Sequence, residues 1–300
     1  MKFTKLEIVK SKSTLSQILT AALDKAATYF GETIVIKISG SLLLDNNKLK
    51  EIVKNIISLR SIGMNIFIIH GGFDQVQNII GNNEHSRKTT ASKISPIETI
   101  EMVMTGYFAK NIANMINFCG GHAIIISGKE GRFIEAKKSK RSRSSAKIEN
   151  ILDIGYMGEI EMLNPDILFE MEESCVIPVI SPIAFSETGE TYQVNADVLA
   201  MELAKLYSAI RLVYLCDSDP IKNSKNEHIK TLTMSEARKF VDSEKLNEKL
   251  ATKINCCINA VEEGVEEGLI IPGWFENVLM IDLFSDENIG TKIVTNANVT

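Results

Sequence analysis

Short apolar runs and stretches of helical spacing alternate along this chain. Ile34-Val35-Ile36-Lys37-Ile38 is a β-branched run of strand length and Ser39-Gly40-Ser41 a tight turn, after which Leu49, Ile52, Val53 and Ile56 recur at helical spacing. The unit repeats at once. Ile66-Phe67-Ile68-Ile69 runs into His70-Gly71-Gly72, and a helix is expected from about Asp74. Two neighbouring strands of this kind deliver Lys37, Gly40, Gly71 and Gly72 to one edge of a sheet. Backbone N–H groups exposed at glycine turns, with a lysine beside them, suit an anion. Either turn alone reads equally well as the plain end of a strand; the pair is the stronger signal.

Upstream, Leu15, Ile18, Leu19, Ala22, Leu23, Ala26 and Phe30 predict an amphipathic helix after a weakly patterned arm over residues 1–12. Thr14 and Gln17 are placed as its capping box. That helix either covers the sheet or packs against another subunit. Polar residues 81–95 form either a substrate lid or an ordinary surface loop. Pro96 opens a helix through Ile100, Val103, Phe108, Ile112 and Met115, and Ala123-Ile124-Ile125-Ile126 is a further buried strand. The basic, serine-rich stretch 133–147 has no aromatics among its charges, so a solvated hairpin loop is expected there rather than a nucleic-acid surface.

Val176 to Ile183 is the next strand, and Gln193-Val194-Asn195-Ala196-Asp197 opens a helix. Arg211 to Cys216 is a strand that ends in Asp217-Ser218-Asp219-Pro220, and such strands present ligand groups at their carboxyl ends. A Lys- and Glu-rich helix leads to Lys253, which begins an apolar-striped helix, and Val278–Ile281 and Thr291–Val294 close the chain as a strand pair. This alternation argues for an α/β fold on one largely parallel sheet, covered on both faces.

Composition narrows the class. Three hundred residues, 45% hydrophobic and 24% charged, are ordinary for a globular enzyme of one large domain or two joined lobes. A formal net charge of -5 argues against a nucleic-acid binder driven by overall electrostatics. Cys119, Cys175, Cys216, Cys256 and Cys257 sit in apolar segments without metal-ligand spacing, which suggests buried, reduced thiols in a cytoplasmic protein. No apolar run approaches membrane-spanning length. Asp197 is either a first-turn acid favoured by the helix dipole or a catalytic group, and Lys253 alone reads as surface decoration.

The order of these pieces resembles the amino acid kinase family. The resemblance runs from about residue 14 to residue 296 and rests on Val35-Ile36-Lys37-Ile38-Ser39-Gly40, Ile69-His70-Gly71-Gly72, Ser127-Gly128-Lys129-Glu130-Gly131 and Gly155-Tyr156-Met157-Gly158-Glu159. It continues through Ile177–Ile183, Val194-Asn195-Ala196-Asp197, Leu215-Cys216-Asp217-Ser218-Asp219, Lys253 and Leu283–Thr291. It implies a three-layer α/β/α sandwich of the carbamate kinase type: an arm and helix over 1–30, a substrate lobe over 31–190 and a nucleotide lobe over 191–300. It also implies ATP-dependent phosphorylation of the side-chain carboxylate of N-acetyl-L-glutamate, as in arginine biosynthesis. The alternatives are another acid, such as an aminoadipate derivative, and a non-catalytic regulatory paralogue.

By the same resemblance, Lys37 and Lys253 flank the transferring phosphoryl group and Asp197 holds both lysines. Closure of the lobes brings the two lysines together. Gly40, Gly71 and Gly72 offer N–H groups, Asn195 contacts the acid, and Asp217 and Ser218 belong to the nucleotide site. ATP brings Mg2+ with it, so no dedicated metal cage is expected. The family also implies a homodimer, or a hexamer built through the N-terminal helix, with no nucleic-acid or membrane partner.

Departures from the family pattern are local. Ser39 replaces one glycine, Phe73 another, and Gln193 stands where an asparagine is usual. The arginine that clamps the substrate falls on Thr90, so Arg87 or Lys93 is the candidate substitute; a lysine would act as a point charge rather than a fork. The effector signature of arginine-inhibited members is only half present: Leu269, Trp274, Asn277 and Asp282 replace its polar positions, so arginine inhibition is not expected.

Overall fold

The computed structural model describes residues 5–76, 94–139, 156–172, 174–243, 246–285 and 287–296, the side chains of 5–15 and 172 excepted. Helix α1 (Lys5–Thr28) leads into β1 (Thr33–Ile38), α2 (Asn46–Ser61) and β2 (Asn65–His70). Then come α3 (Pro96–Val103), a π-helical turn over Met104–Ala109, α4 (Lys110–Phe118), β3 (Ala123–Ile126), β4 (Ile134–Lys138), β5 (Met157–Leu163), α5 (Asp166–Glu172), β6 (Ile177–Ile180), β7 (Ile183–Phe185) and β8 (Thr191–Val194). The rest is α6 (Ala196–Leu206), β9 (Arg211–Cys216), β10 (Thr231–Thr233), α7 (Met234–Ser243), α8 (Glu248–Glu262), β11 (Glu267–Pro272), α9 (Val278–Phe284) and β12 (Thr291–Val294).

Eight strands form the central sheet in the order β10-β12-β11-β9-β1-β2-β6-β3. Every neighbouring pair is parallel except β11 with β12. β1 is central, with β2 on one side and β9 on the other, so the chain reverses its direction of travel across the sheet there. The crevice outside the carboxyl ends of such strands is where open α/β sheets take ligands. The remaining strands, β4, β5, β8 and β7, close into a small separate sheet.

Burial on both faces explains the unbroken apolar runs. Ile34, Ile36 and Ile38 face one core cluster with residues of α2 and α3. Val35 faces the other, among Leu199 and Leu203 of α6 and Ile254 and Ile258 of α8. Each fully buried isoleucine contributes about 1.5–3 kcal/mol. Strand alternation then places Lys37 on the Val35 face, under the two helices that carry Asp197 and Lys253.

Several expectations are corrected. The helix of the N-terminal arm already runs from Lys5, so Thr14 lies inside it rather than at its start; residues 5–10 contain no helix breaker. Ile18, Leu19 and Leu23 of this helix are exposed rather than laid over the sheet. The 176–183 run splits at Ser181-Pro182 into β6 and β7, which belong to different sheets. Lys253 lies in the second turn of α8, because Asn247 starts that helix earlier by accepting from the Leu250 N–H at 2.7 Å.

The expected strand over Val278–Ile281 is helix α9, and β12 pairs instead with β11. A short apolar run such as Val278–Ile281 does not distinguish strand from helix by periodicity. Here Val278, Leu279, Asp282 and Leu283 are the buried set, which is one helical face. All five cysteines are free; Cys175 is exposed, contrary to the expected burial. Among the described residues no helix is long and apolar enough to cross a membrane.

Candidate active site

Lys37 reaches the site from the end of β1, Asp197 from the first turn of α6 and Lys253 from the second turn of α8. Asn195 caps α6, its Oδ1 accepting from the N–H groups of Asp197 (2.8 Å) and Val198 (3.3 Å). The Tyr214 hydroxyl donates to the Asp197 carbonyl at 2.7 Å and ties the same turn to β9. With its backbone fixed twice, Asp197 sends its carboxylate between the lysines. Lys253 Nζ donates to Oδ2 at 2.8 Å, and Lys37 Nζ stands 2.8 Å from Oδ1. The Lys37 contact is an ion pair approached off-axis, since Oδ1 has no well-aligned hydrogen bond.

All three side chains are at most 10% exposed. Burial works against ionising Asp197, but the charges and hydrogen bonds of the two lysines outweigh it and hold the carboxyl below its ordinary value. Burial likewise opposes the Lys253 ammonium, and Asp197 outweighs that, raising it. Two cations on one anion leave a buried excess of positive charge. Both lysines meet the one carboxylate in this conformation.

The glycine turns close around Lys37. β1 and β2 run in parallel register, Lys37 beside Ile69 and Ile38 beside His70, which brings the two turns together as expected. A Cβ on Gly40 would stand 2.6 Å from Gly72 Cα, and one on Gly71 would stand 3.4 Å from Lys37 Nζ. Gly72 has φ +141°, which a side chain rarely adopts, and a Cβ there would also meet the Phe108 ring at 3.0 Å. The glycines are required by this approach of backbone to backbone. The Gly40 and Gly72 N–H groups donate to no carbonyl among the described residues.

These groups line a cavity of about 800 Å³, within the range of small-molecule sites. Asn195, Asp217 and Ser218 line it too, so the expected site residues share one crevice, except Arg87, which lies outside the described residues together with Thr90 and Lys93. No arginine lines the described part of the wall. Phe73 does, together with Met104 and Met157. Sequence reasoning missed Lys249, although it sits one helical turn before Lys253 on the same face. Lys249 bridges Asp74 across the cavity mouth. Gln193 is buried, lines the cavity and has no partner for its Oε1 among the described residues, which only the folded chain displays. A smaller cavity of about 290 Å³ lies apart, between α2 and the 273–279 loop.

Among the described residues no group of three or more His, Cys, Asp or Glu side chains could hold a metal ion. A buried pair of ammonium groups beside free backbone N–H groups, at the carboxyl edge of a parallel sheet, defines a class: proteins that bind and move a phosphoryl-sized anion. The chain belongs to the amino acid kinase family, whose model matches residues 32–272. It is 33% identical over 287 residues to acetylglutamate kinase of Ehrlichia ruminantium, covering 93% of this chain and 89% of that one. It is 35% identical over 285 residues to acetylglutamate kinase of Thermoanaerobacter pseudethanolicus, covering 93% and 92%.

Among solved structures, N-acetylglutamate synthase of Neisseria gonorrhoeae complexed with coenzyme A and N-acetyl-glutamate superposes with a TM-score of 0.75 at 20% identity. This covers 95% of the present chain but only 64% of the synthase, which is less than two thirds of that protein. Carbamate kinase of Giardia lamblia bound to AMP-PNP gives 0.70 at 13% identity, covering 89% and 99%. At such identities the likeness is one of fold.

Proposed function

We propose that this chain is a phosphotransferase with a carboxyl acceptor, phosphorylating the side-chain carboxylate of N-acetyl-L-glutamate with ATP to give an acyl phosphate. The observation that carries this reading is the Lys37–Asp197–Lys253 cluster beside the glycine turns, and the acetylglutamate kinases at 33% and 35% identity support the acceptor. Residues 31–190 supply the acceptor side and 191–300 the nucleotide side.

The residues present fit a nucleotide. Phe240, Leu250 and Ile221 give an apolar wall for a base, Asp217 and Ser218 offer polar groups beside it, and the lysines face the phosphates. Asp197 is saturated by two lysines, so Mg2+ fits only as a partner of the nucleotide. When bound, MgATP supplies the phosphoryl group and part of its charge neutralisation. The chain's own task is to position and to balance charge. Lys37 and Lys253 offset the negative charge of the group in flight, and the Gly40 and Gly72 N–H groups aim at its oxygens. Asp197 keeps both ammonium groups in place. It takes no proton, because a carboxylate acceptor is already ionised at neutral pH. Asn195 has Oδ1 committed to its cap and only Nδ2 left for the acid.

The exposed apolar residues Ile18, Leu19 and Leu23 support a homo-oligomer joined through α1, and a cytoplasmic setting suits five free thiols. Hydroxylamine trapping of the acyl phosphate, with N-acetylglutamate, glutamate, N-acetylaspartate and aminoadipate derivatives as acceptors, tests the reaction. Product with N-acetylglutamate, lost in Lys253→Ala, is expected. Product only with a different acid would keep the cluster's role and move the substrate, and Phe73 is the residue to which such a change would be traced.

A further inference from the structure

His70 is completely buried at the end of β2, next to the glycine turn, and carries no role in the reading above. Its Nδ1 lies 2.8 Å from the Gly71 carbonyl oxygen and its Nε2 lies 3.1 Å from Ser181 Oγ, just beyond β6. β2 and β6 are parallel neighbours, with Ile69 beside Ile180, so His70 and Ser181 stand side by side at the sheet's carboxyl edge. A carbonyl only accepts, so the ring proton belongs on Nδ1 and the Ser181 hydroxyl donates to Nε2. Burial, with Lys37 nearby, keeps the ring neutral and outweighs the Gly71 carbonyl's pull the other way.

The consequence lies one bond further on. A trans peptide points its N–H opposite to its C=O. A ring that holds the Gly71 carbonyl therefore also sets the direction of the Gly72 N–H. That nitrogen is the atom a Cβ on Gly40 would meet at 2.7 Å, so the peptide plane faces the other glycine turn and the cavity they share. On the far side, the Gly72 carbonyl accepts from the Val76 N–H at 2.9 Å.

We propose that His70, set as its Nδ1–H tautomer by the Gly71 carbonyl and held at Nε2 by the Ser181 hydroxyl, is a positioning residue that aims the Gly72 N–H at the anion in the cavity. Without the Ser181 hydroxyl the ring keeps its proton on Nδ1 but is held at one end only, and the peptide plane it grips is looser. The kinetic consequence rests on the phosphoryl transfer proposed above; the tautomer does not.

The test uses the full chain with 15N-labelled histidine, its four histidines assigned with the help of His70→Asn. Wild type is expected to show His70 as the Nδ1–H tautomer at neutral pH. Ser181→Ala is expected to keep that tautomer, because the Gly71 carbonyl still accepts, and to lower kcat about ten- to a hundredfold, less than the about 10²–10³-fold for deleting a whole donor. KM for ATP should stay within about twofold, because that contact is made elsewhere. Ser181→Thr should restore kcat, a rescue that a packing defect would not show. If Ser181→Ala does not fold, Ser181→Cys, a weaker donor of similar size, takes its place.

An Nε2–H tautomer in the wild type would overturn the proposal, as would an unchanged kcat in Ser181→Ala. Should the chain transfer no phosphoryl group to any acid, only the reaction falls. The comparison is then read from the Gly72 amide resonance titrated with inorganic phosphate. A shift in wild type that is lost in Ser181→Ala supports the aim of the N–H, and equal shifts refute it.

Discussion

The central sheet carries an ion cluster at each end, one with excess positive charge and one balanced. At the carboxyl edge, two lysines share Asp197 and border a cavity of about 800 Å³. At the amino edge, Arg211 shares its guanidinium between Asp282 (3.1 Å) and Glu267 (3.0 Å), with Lys292 3.8 Å from Glu267 and the Tyr29 ring 5.8 Å below. The first cluster has positive charge to spare and space for an anion. The second balances two cations with two acids and ties β9, β11, α9 and the end of α1 together. Burying ions is costly in both places. The cost serves a ligand at one end and the register of packed elements at the other.

Breaking the amino-edge cluster should give the largest change in stability. Arg211→Ala strands Asp282, which is 4% exposed, leaves Glu267 only Lys292, and should lose about 3–5 kcal/mol in chemical denaturation. The activity of the molecules that remain folded should be unchanged. Lys253→Ala should do the reverse, lowering kcat by about 10²–10³-fold, or about 2.7–4 kcal/mol in the barrier, while KM for the acid moves far less. If Lys253→Ala destabilised the chain and left kcat intact, the contrast between the two ends would be lost.

Acid sharpens the comparison further. Burial holds the folded-state value of His70 down to about 4 from 6.5. Its contribution is therefore full above about 6.5 and is lost as pH falls toward 4, because the unfolded chain takes a proton that the folded one refuses. The loss amounts to about 3 kcal/mol, and urea titrations at stepped pH should find it flattened in His70→Asn. The acids at the two ends differ in sign. The lysines, against burial, hold Asp197 low, so its contribution survives until still more acid conditions. Asp282 is raised chiefly by burial, so its ionisation weakens the fold as pH rises through its value.

The smallest effect belongs to the exposed Asp74–Lys249 bridge across the cavity mouth. Asp74→Asn should cost at most about 1 kcal/mol, with any kinetic change vanishing at high salt.

Much of this was legible in the chain itself. The β-branched runs of β1, β2 and β9, each ending in a lysine, a glycine pair or acids, announce parallel strands that need both faces covered. Lys37, Gly40, Gly71 and Gly72 could be picked out because strand ends are where α/β folds display chemistry, whereas the roles of Asp197 and Lys253 came from the resemblance to the amino acid kinase family. Helix α9 could not be told from a strand, because the four apolar residues Val278–Ile281 are too short a run to show either period. The start of α8 was set a turn too late, because Asn247 looks like any loop asparagine until its cap forms.

Local sequence thus determined the elements and the residues standing at their ends, since periodicity and turn chemistry act over a few positions. Only the tertiary structure decided which charges meet. Lys37 and Lys253 are 216 positions apart, yet share one carboxylate, because β1, α6 and α8 pack around the same core cluster. The same holds for the Ser181–His70–Gly71 chain of hydrogen bonds, which exists only because β2 and β6 are neighbours. Pairing over such distances depends on sheet order and burial, and neither is written in any short stretch of the chain.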